Sequence, residues 1–357
     1  MKFISVMALI LLPLFSLAKP LPAGNLFTNE EPLKLTLKYD IGLLQKEKAS
    51  YRENGLPGTM QLDGKNLDVS IMTRGKGSFS CRQTQLKIDF SKAATAATPF
   101  EGFGKIKLFT SGRCLDAETN PESDKIILSN YLIYKLYEQI FPLHFKTRLV
   151  EISYTDAGGK VAPYTQLAFF MEPEKSVEAR LSLKRIENPD LLKLGTKITG
   201  MADEDSVNLM HAFQFFIGNY DYGVPGFYAH IAQSVIYMEK NVQMFQDASG
   251  KLFPIAYDWD FSRFIYVGGP YCNVGGRFFI DGTIPTDCSL DNLSFTYEDD
   301  LVAYRYKDDV IGQLNVLKYA FQQWRAANKE NLEKLGPKYL EGLDAFDQTF
   351  EPAVRGN

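Results

Sequence analysis

Apolar and polar residues alternate through LKLTLKYD (Leu33–Asp40), which is the period of a half-buried strand. The same two-residue period runs on both sides of Asp63-Gly64 within Gly58–Ser80, and that dipeptide between alternating runs predicts a hairpin. TQLKIDF (Thr84–Phe90) and GKIKLFTSG (Gly104–Gly112) read as two further strands, so the opening section is β-rich and antiparallel. Near Asp124 the period lengthens. Ser123–Phe141 places apolar residues at helical spacing, with Ser123 as candidate N-cap and Pro142 just past the end. Phe145–Glu172 then reads as a pair of strands turning at Gly158-Gly159. From Pro173 onward helical spacing dominates: Glu204–Asn219 predicts an amphipathic helix, and Asp308–Leu335 and Pro337–Phe350 predict closing helices.

Strands first, one helix among them and a helical remainder predict an α+β fold with two lobes. The change of pattern near Glu172–Lys175 sets the expected boundary, giving a β-rich part over 19–172 and a helical part over 173–357. The first 18 residues stand apart from both. MKFISVMALILLPLFSLA carries one lysine, an apolar stretch and a small-residue end, the pattern of a secretory signal peptide, and its apolar run is too short to span a bilayer. Export to the periplasm or beyond is therefore expected, with no membrane span in the mature chain.

Composition narrows the function classes. A chain of 357 residues with 45% hydrophobic and 23% charged positions can bury a large core. Its net charge of −4, without a block of like charge, argues against a nucleic-acid partner. The four cysteines, Cys81, Cys114, Cys272 and Cys288, are scattered without a C-x-x-C pair, and there are only three histidines. Zinc ligation is therefore disfavoured and two disulfides suit an exported protein. Three pairings are possible, and the nearest-neighbour one is Cys81–Cys114 with Cys272–Cys288; buried thiols are the alternative.

The candidate chemistry lies in the second half. Asp221 follows an apolar helix and a Gly-Asn-Tyr; Asp258 and Asp260 follow the strand-like FPIAY; Asn241 precedes the apolar VQMF. Acids at the ends of buried segments are costly unless met by positive charge. If the strand runs on, Asp258 and Asp260 share a face and could reach one cation, with Asn241 as a neutral oxygen donor. Asp221, set apart, could accept a proton from an attacking hydroxyl. Each also has a plainer reading as a helix cap, an Asx turn, a partner for Arg263 or a structural calcium ligand.

The run IGNYD…KNVQMF…KLFPIAYDWD resembles the late motifs of atypical kinases, most closely the spore-coat-protein CotH kinase family, and TRGKGS, LSNYLIYKLYEQI and AFFMEPEKSVEARL extend the resemblance. It implies a protein-kinase-like fold and phosphoryl transfer from ATP, with Mg2+ or Mn2+, to a protein or other extracytoplasmic acceptor. It also implies roles: Asp221 as catalytic acid, Asn241 and Asp258 as metal ligands and Asp260 as an accessory one. Lys87 becomes a phosphate-contacting lysine with Glu138 as its ion-pair partner, and Arg74, Gly75 and Gly77 a phosphate-covering turn. The chain departs from the family in three ways. Asn241 follows Asp221 by 20 positions, Tyr222 replaces the expected basic residue, and the glycine turn is incomplete. A non-catalytic binding protein of the same fold is the alternative. A third is a carboxylate-dependent hydrolase on a glycan, with Tyr220, Tyr222, Tyr257 and Trp259 beside the acids.

Overall fold

Seven strands keep the two-residue period and use it to separate an inside from an outside. In the computed structural model, which describes residues 26–75, 77–91, 94–110, 122–217, 219, 221–227, 237–260, 262–266 and 307–354, these are β1 (Leu33–Tyr39), β2 (Leu56–Leu62), β3 (Lys65–Arg74), β4 (Gln85–Phe90), β5 (Lys105–Phe109), β6 (Thr147–Asp156) and β7 (Tyr164–Met171). They close into a barrel in the order β1-β2-β3-β4-β5-β7-β6. The seam is a parallel pairing of β1 with β6, from Leu33↔Val150 to Tyr39↔Asp156. Leu35, Leu37, Ile71, Ile88, Leu108, Ile152 and Phe170 fill the interior. The β2–β3 turn is the expected one: Asp63 and Gly64 both take positive φ, 49° and 77°, as a two-residue type I′ hairpin requires.

This barrel overturns the expected two-lobed, protein-kinase-like fold. The chain is a mixed α+β protein, but its strands have no open sheet to form one lobe, because β1 and β6 seal the edge. The remainder is not simply helical either. β8 (Lys184–Ile186), β9 (Val242–Gln246) and β10 (Leu252–Ala256) form a second, three-stranded sheet in the order β10-β9-β8.

A larger core lies outside the barrel. Its centre is α2 (Glu122–Ile140), which follows the short α1 (Ile41–Lys46) and is buried without a break from Ile126 to Tyr134. On one side it meets the outward residues Phe109, Leu149, Phe169 and Met171 of the barrel. On the other it meets α6 (Glu204–Phe216) and α8 (Lys307–Ala327). Trp324 of α8 is fully buried and donates its indole N–H to Leu132 O of α2 at 2.9 Å. The helix starts at Glu122 rather than after Ser123, whose Oγ instead accepts from Gln166 Nε2 at 3.0 Å, so a barrel strand has taken the expected cap.

The connecting helices are short: α3 (Glu174–Leu181), α4 (Asn188–Leu194), α5 (Ile198–Met201) and α7 (Arg263–Tyr266). The β7–α3 joint is pinned by Arg180, which grips Glu172 with Nε at 3.0 Å and Nη2 at 2.7 Å. The expected helix over Asp308–Leu335 is broken at Asn328, which separates α8 from α9 (Lys329–Leu335); α10 (Pro337–Val354) follows. Among the described residues no helix is long and apolar enough to cross a membrane. Cys81 is disulfide-bonded, while Cys114, Cys272 and Cys288, together with the leader over residues 1–18, lie outside the described residues.

Candidate functional site

β9 and β10 are antiparallel partners, with Val242 opposite Ala256. One more rung, Tyr257 N–H to Asn241 O at 3.0 Å, carries the pairing past the strands. Asn241 and Asp258 therefore meet at the open end of one hairpin, however far apart they stand in sequence. Both are left-handed, with φ of 52° and 64°, a conformation that Asn and Asp tolerate better than other side-chain-bearing residues. Because β10 stops at Ala256 and Asp258 turns away, Asp258 and Asp260 do not share a strand face as the sequence suggests. Asp260 is half-buried.

A second connection brings in Asp221. Gly223 and Lys240 form an antiparallel bridge, with N–H to O distances of 2.8 and 3.2 Å. That bridge closes the long interval between Asp221 and Asn241 and sets the two side by side. Asn241 Nδ2 donates to Asp221 O at 2.6 Å and to Asp221 Oδ2 at 2.8 Å, while Lys240 Nζ lies 3.4 Å from the same Oδ2. Asn219 Oδ1 accepts from Asp221 N at 3.2 Å, so the plainer Asx-turn reading is also realised. Tyr222, where a basic residue was expected, is fully buried, its hydroxyl 2.8 Å from His211 Nδ1.

The barrel supplies cations to this hairpin end. Met72 of β3, Lys87 of β4 and Lys107 of β5 stand in register on one face, with Arg74 two residues beyond Met72. Arg74 stacks its guanidinium over Phe109 with Cζ 4.2 Å from the ring centre, donates Nε to Leu86 O at 2.9 Å, and leaves Nη2 buried without a hydrogen-bond partner among the described residues. Lys107 Nζ meets Glu174 Oε1 at 3.0 Å, which also accepts from Gln243 Nε2 at 2.9 Å, and lies 5.6 Å from the centre of the Tyr257 ring.

Charge and burial oppose each other here. Burial pushes the Asp258 carboxyl above its ordinary range; Arg74 pulls it back, Asp221 adds to the rise, and Lys240 and Lys107 oppose it. Burial lowers Arg74 in turn, against the pull of Asp258. Lys107 is lowered by burial, with Arg74 and Lys87 adding to the effect and Glu174 opposing it. A buried carboxylate whose charge burial disfavours, beside an amide oxygen, is a hard donor set of the kind a divalent cation relieves. Among the described residues no group of three His, Cys, Asp or Glu side chains is placed to hold a metal. Magnesium is commonly held by one or two carboxylates, with substrate phosphates and water completing its shell, so the donor set fits.

The other expected members fall elsewhere. Glu138 pairs with Lys135 Nζ at 2.6 Å and lies 3.7 Å from His144 Nε2, so it is not the partner of Lys87. Gly75 sits at the end of β3 with φ of 95°, where a Cβ would come within 2.3 Å of Ser78 Oγ, and its carbonyl accepts from Arg52 Nη2 at 2.9 Å. Gly77 opens a short 3-10 turn, Gly77–Ser80. Trp259 and Tyr222 are fully buried and present no stacking face for a sugar, and Tyr220 lies outside the described residues. Lys107, Glu174, Gln243 and Lys240 belong to the site but were not singled out in the sequence. Alternation marks Lys107 as outward-facing, between the inward Ile106 and Leu108, yet only strand register sets it beside Lys87. Compared with protein-family models and with curated proteins, the chain matches none.

Proposed function

We propose that the protein is an exported phosphotransferase that moves a phosphoryl group from ATP, held with Mg2+ or Mn2+, to a protein or other extracytoplasmic acceptor. The observation that carries this reading is the convergence of Asp221, Asn241 and Asp258 at one hairpin end, against barrel strands that bear Arg74, Lys87 and Lys107. Asp258 and the Asn241 amide oxygen would hold the divalent ion, with phosphate oxygens and water completing its shell. When bound, that ion supplies charge neutralisation to the phosphates. Arg74, its ring-stacked guanidinium carrying one unpartnered donor, binds and orients a phosphate oxygen. Lys87, half-buried next to Lys107, adds a second positive contact. Asp221, with Oδ2 fixed by Asn241 and Lys240, takes the proton of the acceptor hydroxyl.

One observation favours a second reading. Lys240 and Arg74 already offset Asp221 and Asp258 within the chain itself, an arrangement that suits metal-free binding of an anionic ligand without turnover. Calorimetric titration with ATP, with and without Mg2+ or Mn2+, separates the two. Under the leading reading Asp258→Ala abolishes metal-dependent nucleotide binding, while Asp221→Ala binds nearly as wild type yet loses about 100- to 10,000-fold in turnover. Lys87→Ala weakens nucleotide binding and leaves metal binding in place. Metal-independent binding that survives Asp258→Ala rules out phosphoryl transfer and supports the binding protein.

A further inference from the structure

β10 is the edge of its sheet. Tyr257 directs its N–H to β9, so the amides on either side of it, Ala256 and Asp258, face away from the sheet. Unpaired amides on a buried edge are costly. Here α2 supplies acceptors one helical turn apart. Tyr137 Oη takes Ala256 N–H at 3.4 Å, and Tyr134 Oη takes Asp258 N–H at 2.9 Å. Both rings are fully buried and flank Trp259, with centroids 5.8 Å from it for Tyr134 and 5.1 Å for Tyr137.

The two contacts differ in what they hold. Ala256 ends a regular strand that the ladder already fixes. Asp258 has left the strand with φ of 64°, and its backbone N–H is held by the Tyr134 hydroxyl rather than by the ladder. We propose that Tyr134 is a positioning residue, whose hydroxyl holds Asp258 in its left-handed turn and so sets where that carboxylate meets a divalent ion. The proposal rests on the reading of Asp258 as a metal ligand. Loss of an outer group that orients a metal ligand typically costs about 10- to 100-fold in metal affinity.

Phenylalanine at either tyrosine keeps the ring and removes the hydroxyl, so Tyr134→Phe and Tyr137→Phe form a matched pair. Two measurements on the full chain separate positioning from general loosening: amide hydrogen exchange at Asp258, and titration with Mn2+ alone. The expected result is faster exchange at Asp258 and about 10- to 100-fold weaker Mn2+ binding in Tyr134→Phe, with Tyr137→Phe binding Mn2+ as wild type. Unchanged exchange at Asp258, wild-type Mn2+ affinity in Tyr134→Phe, or equal weakening in both variants overturns the proposal. Failure of the metal reading is distinct: it shows as no Mn2+ binding by wild type, and it takes this proposal with it.

Discussion

His211 and Tyr222 are the residues that fasten the acidic turn to α6, and their contact carries a pH signature. Burial holds His211 at about 4, against an ordinary 6.5. The unfolded chain therefore takes up a proton between those values that the folded chain refuses. The contribution to stability is complete above pH 6.5 and declines as pH falls to about 4, by about 3 kcal/mol in all. Urea denaturation of wild type and His211→Gln at several pH values checks this: the stability gap should narrow as pH falls through that window. A gap independent of pH would mean that the imidazole is not held neutral. At this scale the sequence drew attention to Asp221 and Asp258, as acids that close apolar runs, while Asn241 carried almost nothing alone and entered only in their company. It was silent on Lys107, Glu174 and Lys240, whose roles depend on neighbours supplied by other elements.

Elements are joined by single polar residues as much as by packing. The Asp156 carboxylate ends β6 and accepts four backbone N–H groups: Ile41 at 2.8 Å, Gly158 at 3.2 Å, Lys160 at 2.6 Å and Val161 at 2.9 Å. Burial alone would raise its pKa, but these donors together bring it below the ordinary value. One side chain thus organises both the start of α1 and the β6–β7 turn. Asp156→Ala should cost about 3 kcal/mol in urea denaturation, since several amides lose their acceptor. Asp156→Asn, which keeps one oxygen, should cost less; equal loss in the two would remove the carboxylate from this role. Element types were partly readable from period: the strands of the barrel, the Asp63-Gly64 turn and the long helices α2 and α6 follow it, while the short α1, α4, α5 and α7 do not. The three-residue β8 was not, being too short to show a period, and the break at Asn328 has no proline or glycine to announce it.

The whole molecule is organised by strands that serve two cores. Ala168 and Phe170 of β7 point into the barrel, while Phe169 and Met171 of the same strand pack against α2. Leu108 and Phe109 of β5 divide in the same way. Neither core can lose its strand without damage to the other, so thermal unfolding should be one transition, with calorimetric and van't Hoff enthalpies equal. Two resolved peaks would show that barrel and helices melt separately. Barrel closure was beyond local reading, because the parallel β1–β6 seam joins strands with four others between them. Alternation reports which face of a strand is apolar, not which strand lies beside it.

The Gly223–Lys240 bridge has a consequence best put in polymer terms. It ties the chain off at its neck, so added length there costs the site the entropy of closing a longer loop. Such a cost grows logarithmically, by about 0.6 kcal/mol for each doubling. Lengthening the chain between Phe227 and Tyr237 should therefore leave the spacing of Asp221 and Asn241 unchanged, provided that the bridge, Tyr222 and Lys240 are kept.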